Sequence, residues 1–236
     1  VKIARAQTPD GVVTGDYENG LLESGEKVYE IGSDADLLAP VSPSTLYCVG
    51  RNYTSTNDLM DYDHPTEPDF FIKPSVATHP PDTPIPYPTF SDEVTYAGEL
   101  AAVVGETCKN VAENDVDDIL RGYTIMNDVD ALDQEGRTAR KAFDGSAPLG
   151  PWIETEIDPI GINIRTLING KERQNSNTDS MIFNPSEVIS FLSERCTLLR
   201  NDVISFGSPA NPGLIEPGDE IEITYEGIGT LRNTVN

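Results

Sequence analysis

The sequence predicts a β-rich α+β fold, and three observations carry that prediction. Short runs with strand character outnumber helical ones, and one segment alone has a well-marked helical start. Strands also do not alternate with helices in the rhythm of a parallel α/β sheet. With 236 residues and no internal repeat, the chain is long enough for one sizeable core. Residues 1–40 read as an N-terminal β-hairpin region and residues 41–236 as the main domain.

In the first region, Val1–Ala6, Gly11–Thr14, Gly20–Leu22 and Lys27–Ile31 read as strands. Asp10-Gly11, Asn19-Gly20 and Gly32-Ser33 mark the turns between them. Thr45–Val49 is the first buried-looking strand. A proline-rich stretch, residues 62–89, keeps an apolar Phe70-Phe71-Ile72 and has no Gly/Ser tract, so it reads as an ordered, extended connection. Gly98–Gly105 is continuously apolar after Glu99, which suits a buried strand. Val116–Leu120 reads as a short helix, and Tyr123–Met126 as a strand running into Asn127-Asp128. Ile164–Ile168, Val203–Phe206 and Glu220–Tyr225 follow as strands, the last with Ile221, Ile223 and Tyr225 on one face. Pro185–Glu194 is the clear helix. Asn184 suits the N-cap, Pro185 the first turn and Glu187 a capping box, while Val188, Phe191 and Leu192 form the apolar stripe.

Forty acidic residues stand against sixteen Lys and Arg, for a net charge of −24. Such a surface disfavours nucleic acid and anionic membranes, which need cationic patches. The acids are dispersed and only six of the cations are Lys, a pattern suited to hydration in a saline cytoplasm. Cys48, Cys108 and Cys196 are odd in number and widely spaced, which fits a reducing compartment. No apolar signal segment or membrane-length run is present, so a cytoplasmic protein is expected.

Histidine is scarce: His64 and His79 both sit beside prolines. A Ser-His-Asp triad or a His-rich zinc site would have to be built from these two alone. Any metal must then be held by carboxylates, favouring Mg²⁺, Mn²⁺ or Ca²⁺. Polar residues at strand ends are the candidates for chemistry. Glu99 opens one strand, Asp128 closes another, and Lys141 precedes the stretch Gly145–Trp152. Gly207 and Ser208 follow Val203–Phe206, where small residues let a ligand approach the backbone.

Taken in order, these segments resemble the fumarylacetoacetate hydrolase family from about Leu46 to Val235. Gly50-Arg51-Asn52-Tyr53 is similar to its G-x-N-Y, and Phe71-Ile72-Lys73-Pro74-Ser75 to its F-x-K-P-[SA]. Tyr96-Ala97-Gly98-Glu99-Leu100 resembles Y-E-x-E-L, and Gly122-Tyr123 through Asn127-Asp128 resembles G-Y-x-x-x-N-D. Lys141-Ala142-Phe143-Asp144 with Pro148–Trp152 matches K-x-F-D…P-L-G-P-W. Asn169-Gly170 through Arg173-Gln174, Met181-Ile182-Phe183, Phe206–Pro209, Pro217-Gly218-Asp219 and Gly229–Asn233 complete the match.

The resemblance implies a mixed β-sandwich roll, usually a homodimer. It also implies a Mg²⁺ or Mn²⁺ ion (Ca²⁺ in some crystals) that chelates a small 2-oxo acid or 1,3-diketo acid. Glu99 and Asp128 would hold the metal, with Asp130 as a further candidate. Lys141 would steady negative charge near the chelated oxygens, with Asp128 as the other catalytic residue, while Gly207, Ser208 and Gln174 would bind the substrate carboxylate. The implied reactions pass through an enolate: C–C hydrolysis, decarboxylation, or isomerisation like that of 2-hydroxyhepta-2,4-diene-1,7-dioate.

Five positions depart from the pattern. Ala97 replaces the first Glu of E-x-E, and a methyl coordinates nothing. Thr56 and Leu59 stand where the family's water-activating His and Glu would be, and Leu132 replaces the Arg of N-D-x-S-A-R-D, whose Ser is Asp130. Asp128 and Asp130 share a face if extended, so Asp130 could partly replace the lost carboxylate. Loss of the dyad disfavours hydrolysis, because water activation needs a base. Two alternatives stay open: a silent member that binds a small acid or partner, and a 2-keto-3-deoxy sugar-acid dehydratase.

Overall fold

A computed structural model describes residues 1–210 and 213–236, and three sheets frame the described residues. The largest has ten strands in one hydrogen-bonded order: Lys27–Glu30, Leu21–Ser24, Gly11–Glu18, Lys2–Thr8, Ala147–Glu154, Leu120–Asn127, Gly98–Val104, Val203–Ser205, Thr45–Gly50 and Asp69–Pro74. Asp36–Leu38 joins it beside Lys2–Thr8, and Thr78–His79 beside Ala147–Glu154. The N-terminal strands therefore continue the main sheet, through Lys2↔Glu154 and Ile3↔Ile153. A second sheet orders Lys171–Asn177, Asn163–Ile168, Glu220–Tyr225 and Gly229–Thr234, and a small pair joins Val94–Thr95 to Asp130–Ala131.

Gly98–Val104 explains its own unbroken apolarity. Leu100, Ala102 and Val104 face a core shared with Ile164, Ile221, Ile223 and Tyr225 of the second sheet. Ala101 and Val103 face the opposite core, with Leu46, Cys48, Met126, Leu149 and Val203. A strand buried on both faces has no solvent side on which to alternate. Gly98 is required where the sheets meet, since a Cβ there would lie 2.7 Å from Ile223 Cγ2.

The predicted helix runs Pro185–Arg195 with its capping box formed: Asn184 Oδ1 accepts from Glu187 N, and Glu187 Oε2 from Asn184 N. Its packed face includes Ile189 with Val188 and Leu192, while Phe191 is only partly buried. Val116–Ile119 is a short helix, and Leu120 already begins the next strand. The extended connection contains the strand Asp69–Pro74, antiparallel to Thr45–Gly50. Two further short helices, Thr54–Met60 and Arg137–Lys141, were not marked in the sequence. Neither has a side-chain N-cap, the N-cap positions being Tyr53 and Gly136. Among the described residues, no helix is long and apolar enough to cross a membrane.

Candidate active site

The ends of two paired strands set the floor of the site. Glu99 pairs with Met126 and Gly98 with Asn127, and the Asp128 amide donates to Ala97 O at 2.8 Å. Positions 97 and 99 therefore share a face, and Asp128, just past the end of the neighbouring strand, stands opposite Ala97. Glu99 and Asp128 are both buried, at 4% and 3% exposure. Glu99 Oε2 has no hydrogen-bond partner.

Two lysines converge on Asp128. Lys141 Nζ donates to Oδ2 at 2.5 Å and lies 3.1 Å from Asp130 Oδ2. Lys73 Nζ lies 2.7 Å from Oδ1 and donates to Val129 O and Ser146 O at 2.9 and 2.5 Å. Lys73 is completely buried, so it ties three chain segments together beneath the site. Asp130 is held from the other side by a two-pronged contact from Arg140, at 2.9 and 2.6 Å. Its carboxylate is thus engaged by Arg140 and Lys141, and it completes a charge cluster.

Electrostatics at the floor follow from this crowding. Burial, with Asp128 adding to it, pushes the Glu99 carboxyl well above the ordinary carboxylate range. Burial acts the same way on Asp128, but the ammoniums of Lys141 and Lys73 outweigh it and hold that carboxyl low. Burial opposes charge on Lys141 as well, yet Asp128 and Asp130 prevail and its ammonium is raised. For Lys73 burial wins, and the ammonium is lowered.

Above the floor opens a cavity of about 630 Å³ whose walls include Glu99, Asp128, Asp130, Lys141, Gly207 and Ser208. Gly207 has φ +81°, and a Cβ there would sit 2.9 Å from Val49 O, so this close turn needs glycine. Gln174 lies behind the wall. Its Oε1 accepts from Gly98 N and Thr166 Oγ1, and its Nε2 donates to Ser208 Oγ at 2.6 Å and Pro209 O at 3.0 Å. All its polar capacity is spent on protein groups, so it acts through Ser208. Asn52 of the G-x-N-Y motif is likewise structural, bonded to Phe183 and Phe206.

Thr56, Leu59, Ala97 and Leu132 all line this cavity. The departures from the family pattern are therefore gathered in one place. Lys73, Arg51, Arg137 and Arg140 are site residues that the sequence did not single out. A lone lysine in the apolar run Phe70-Phe71-Ile72-Lys73 was the available signal for the first. The arginines gave none, because Arg51 and Arg137 find their partner Asp69 at sequence distances of 18 and 68.

Residues 45–236 match the family model described as fumarylacetoacetate hydrolase C-terminal, and the chain belongs to that family. It is 37% identical to the solved 5-carboxymethyl-2-hydroxymuconate delta-isomerase of Mycobacterium smegmatis. That superposition has a TM-score of 0.93 and covers 100% of this chain and 98% of the other. A mitochondrial oxaloacetate tautomerase of Xenopus laevis is 34% identical, over 86% of this chain and 69% of its own. The 4-hydroxyphenylacetate degradation bifunctional isomerase/decarboxylase of Salmonella dublin is also 34% identical, over 81% of this chain and 46% of its own. The fold is the strand-rich fold of these relatives, and the named relatives are enzymes.

Proposed function

We propose that this chain is an enzyme that forms and reprotonates the enolate of a small 2-oxo acid, in an isomerisation or a decarboxylation. The observation that carries this reading is Lys141, 13% exposed on its side chain, between Asp128 and Asp130 at the cavity floor. An ammonium held there without freedom to reorganise stabilises negative charge as it develops on a substrate oxygen. Ser208, fixed by Gln174, and the close backbone at Gly207 flank the substrate carboxylate. Hydrolysis is disfavoured because Thr56 and Leu59 offer no acid/base pair to activate water.

The floor fits a divalent ion of the magnesium class. Glu99 brings an unpartnered buried carboxylate oxygen, and Asp128 adds a second hard donor. Among the described residues no three His, Cys, Asp or Glu side chains converge on a metal, so two carboxylates are what the chain supplies and water would complete the shell. When bound, Mg²⁺ or Mn²⁺ would polarise the oxygens of the 2-oxo acid. The chain's own contribution is to orient the carboxylate and hold charge at Lys141 Nζ.

A screen of 2-oxo acids with Mg²⁺ or Mn²⁺ in high salt, read by NMR of products, tests this. At least one should be isomerised or decarboxylated. Turnover of none would favour the second reading, a binding-only member. The observation favouring that reading is the clustering of all five departures, Asp130 included, in the cavity. Dehydration of a sugar acid would use the same floor and would show itself in the same screen by its product.

A further inference from the structure

In a chain of net charge −24, four of the sixteen Lys and Arg line one cavity: Lys141 at the floor, and Arg51, Arg137 and Arg140 above it. Arg140 is engaged by Asp130, but Arg51 and Arg137 are arranged differently. Both grip Asp69, which lies outside the cavity wall. Arg51 Nε and Nη2 are 3.1 and 2.6 Å from Oδ2, and Arg137 Nη1 and Nη2 are 2.8 and 2.9 Å from Oδ1 and Oδ2. Two guanidiniums against one carboxylate leave one positive charge unbalanced, and each guanidinium keeps N–H donors that Asp69 does not use. Arg51 also has φ +56°, a conformation sparsely populated outside glycine and found where the surrounding structure imposes it.

The strand Asp69–Pro74 grades the cavity from rim to floor. Asp69, Phe71 and Lys73 alternate along it and share a face. Lys73 meets Asp128 at the floor, Phe71 lines the wall, and Asp69 fixes the rim. The helix Arg137–Lys141 repeats this grading, since its two ends are i and i+4, about 6 Å apart along the axis. Both cations sit over the Phe71 ring, Arg137 Cζ at 5.5 Å and Lys141 Nζ at 5.4 Å from its centroid. Floor and rim thus each present a cation against one aromatic wall, Lys141 paired with Asp128 and Asp130 and Arg137 sharing Asp69 with Arg51.

We propose that Arg137, with Arg51, is the specificity-determining pair for a second anionic group, so that the preferred ligand is a dicarboxylate spanning floor and rim. Asp69 is the positioning residue of that pair. This deepens the reading of the cavity as a 2-oxo acid site, and its test does not depend on turnover.

Calorimetry at fixed ionic strength compares succinate, glutarate and adipate with butyrate, valerate and hexanoate. At least one diacid should bind about tenfold more tightly than the monoacid of equal length, the size of one added charge-assisted contact. Arg137→Gln should remove that advantage and Arg137→Lys, which keeps the charge without the fork, should keep part of it. Melting curves accompany each variant, and Arg51→Gln serves if Arg137→Gln folds poorly. Equal binding of the two series, binding of neither, or a preference that survives both Gln substitutions overturns the assignment. A diacid preference without turnover of any 2-oxo acid would leave this pair standing and remove the enolate reading. Turnover without any such preference would do the reverse.

Discussion

At the floor of the cavity two lysines share the carboxylate of Asp128, with side chains 0% and 13% exposed; at the rim two arginines share Asp69 and stay 41% and 44% exposed. The motif is the same, two cations on one carboxylate, and the surrounding medium differs. At the floor charges interact almost unscreened, so their removal leaves buried groups unpaired. At the rim water and salt weaken each contact, so the same pairing holds up the fold less. The proposed enolate chemistry would draw on the first setting and the proposed selectivity on the second.

Lys73→Met should produce the largest stability change. It strands Asp128 Oδ1, Val129 O and Ser146 O inside the protein, and loss of one partner of a buried pair typically costs about 3–5 kcal/mol. Denaturant titration should show that loss, whereas Arg137→Gln at the rim should cost about 1 kcal/mol or less. Similar losses at the two places would erase the contrast.

Ala97→Glu sharpens the same contrast from the metal side. Position 97 faces Asp128 across the ladder, so a carboxylate there adds a third hard donor to the floor. Mg²⁺ or Mn²⁺ affinity, measured by calorimetry, should rise by roughly tenfold. An unchanged affinity would mean that the lysines have taken over the space.

Salt acts on the surface as a whole. With net charge −24, thermal midpoints should climb with KCl, because screening shortens to about 3 Å at 1 M. A flat or falling series would remove the saline-cytoplasm reading.

The smallest effect is expected from protonating the rim. Hydrogen bonds from Arg137, with Arg51 adding to them, hold the Asp69 carboxyl at about 2 against an ordinary 3.8. Because the folded value is depressed, the stabilisation is present above pH 3.8 and fades as the pH falls toward 2. The gap in melting temperature between the unmodified protein and Asp69→Asn should therefore close over that interval. A gap that stays constant would separate Asp69 from the arginines.

Parts of this were readable in the chain for physical reasons that can be named. Asn184 and Glu187 announce a helix because a capping box is local chemistry. Gly98–Val104 announces a buried strand because neither face meets water. Glu99, Asp128 and Lys141 were legible as members of ordered motifs, and the fold brings them to one floor. The rim was not legible. Its helix Arg137–Lys141 has five residues and no side-chain cap, so its identity is tertiary. Asp69 and Arg137 meet only because that helix packs on the strand Asp69–Pro74. Sequence alone could not show Lys141 buried between two carboxylates, which gives it more weight than an exposed ion pair would have.

Hydrogen–deuterium exchange at C3 of a 2-oxo acid, followed by NMR in D₂O with Mg²⁺, tests enolate formation most directly because it needs no knowledge of the later step. The unmodified protein should accelerate exchange for at least one acid, and Lys141→Met should lower that acceleration by about two orders of magnitude or more while the protein still melts cooperatively. Exchange no faster than in buffer for every acid tried, or full exchange by folded Lys141→Met, would contradict the assignment of Lys141 and the floor to enolate chemistry.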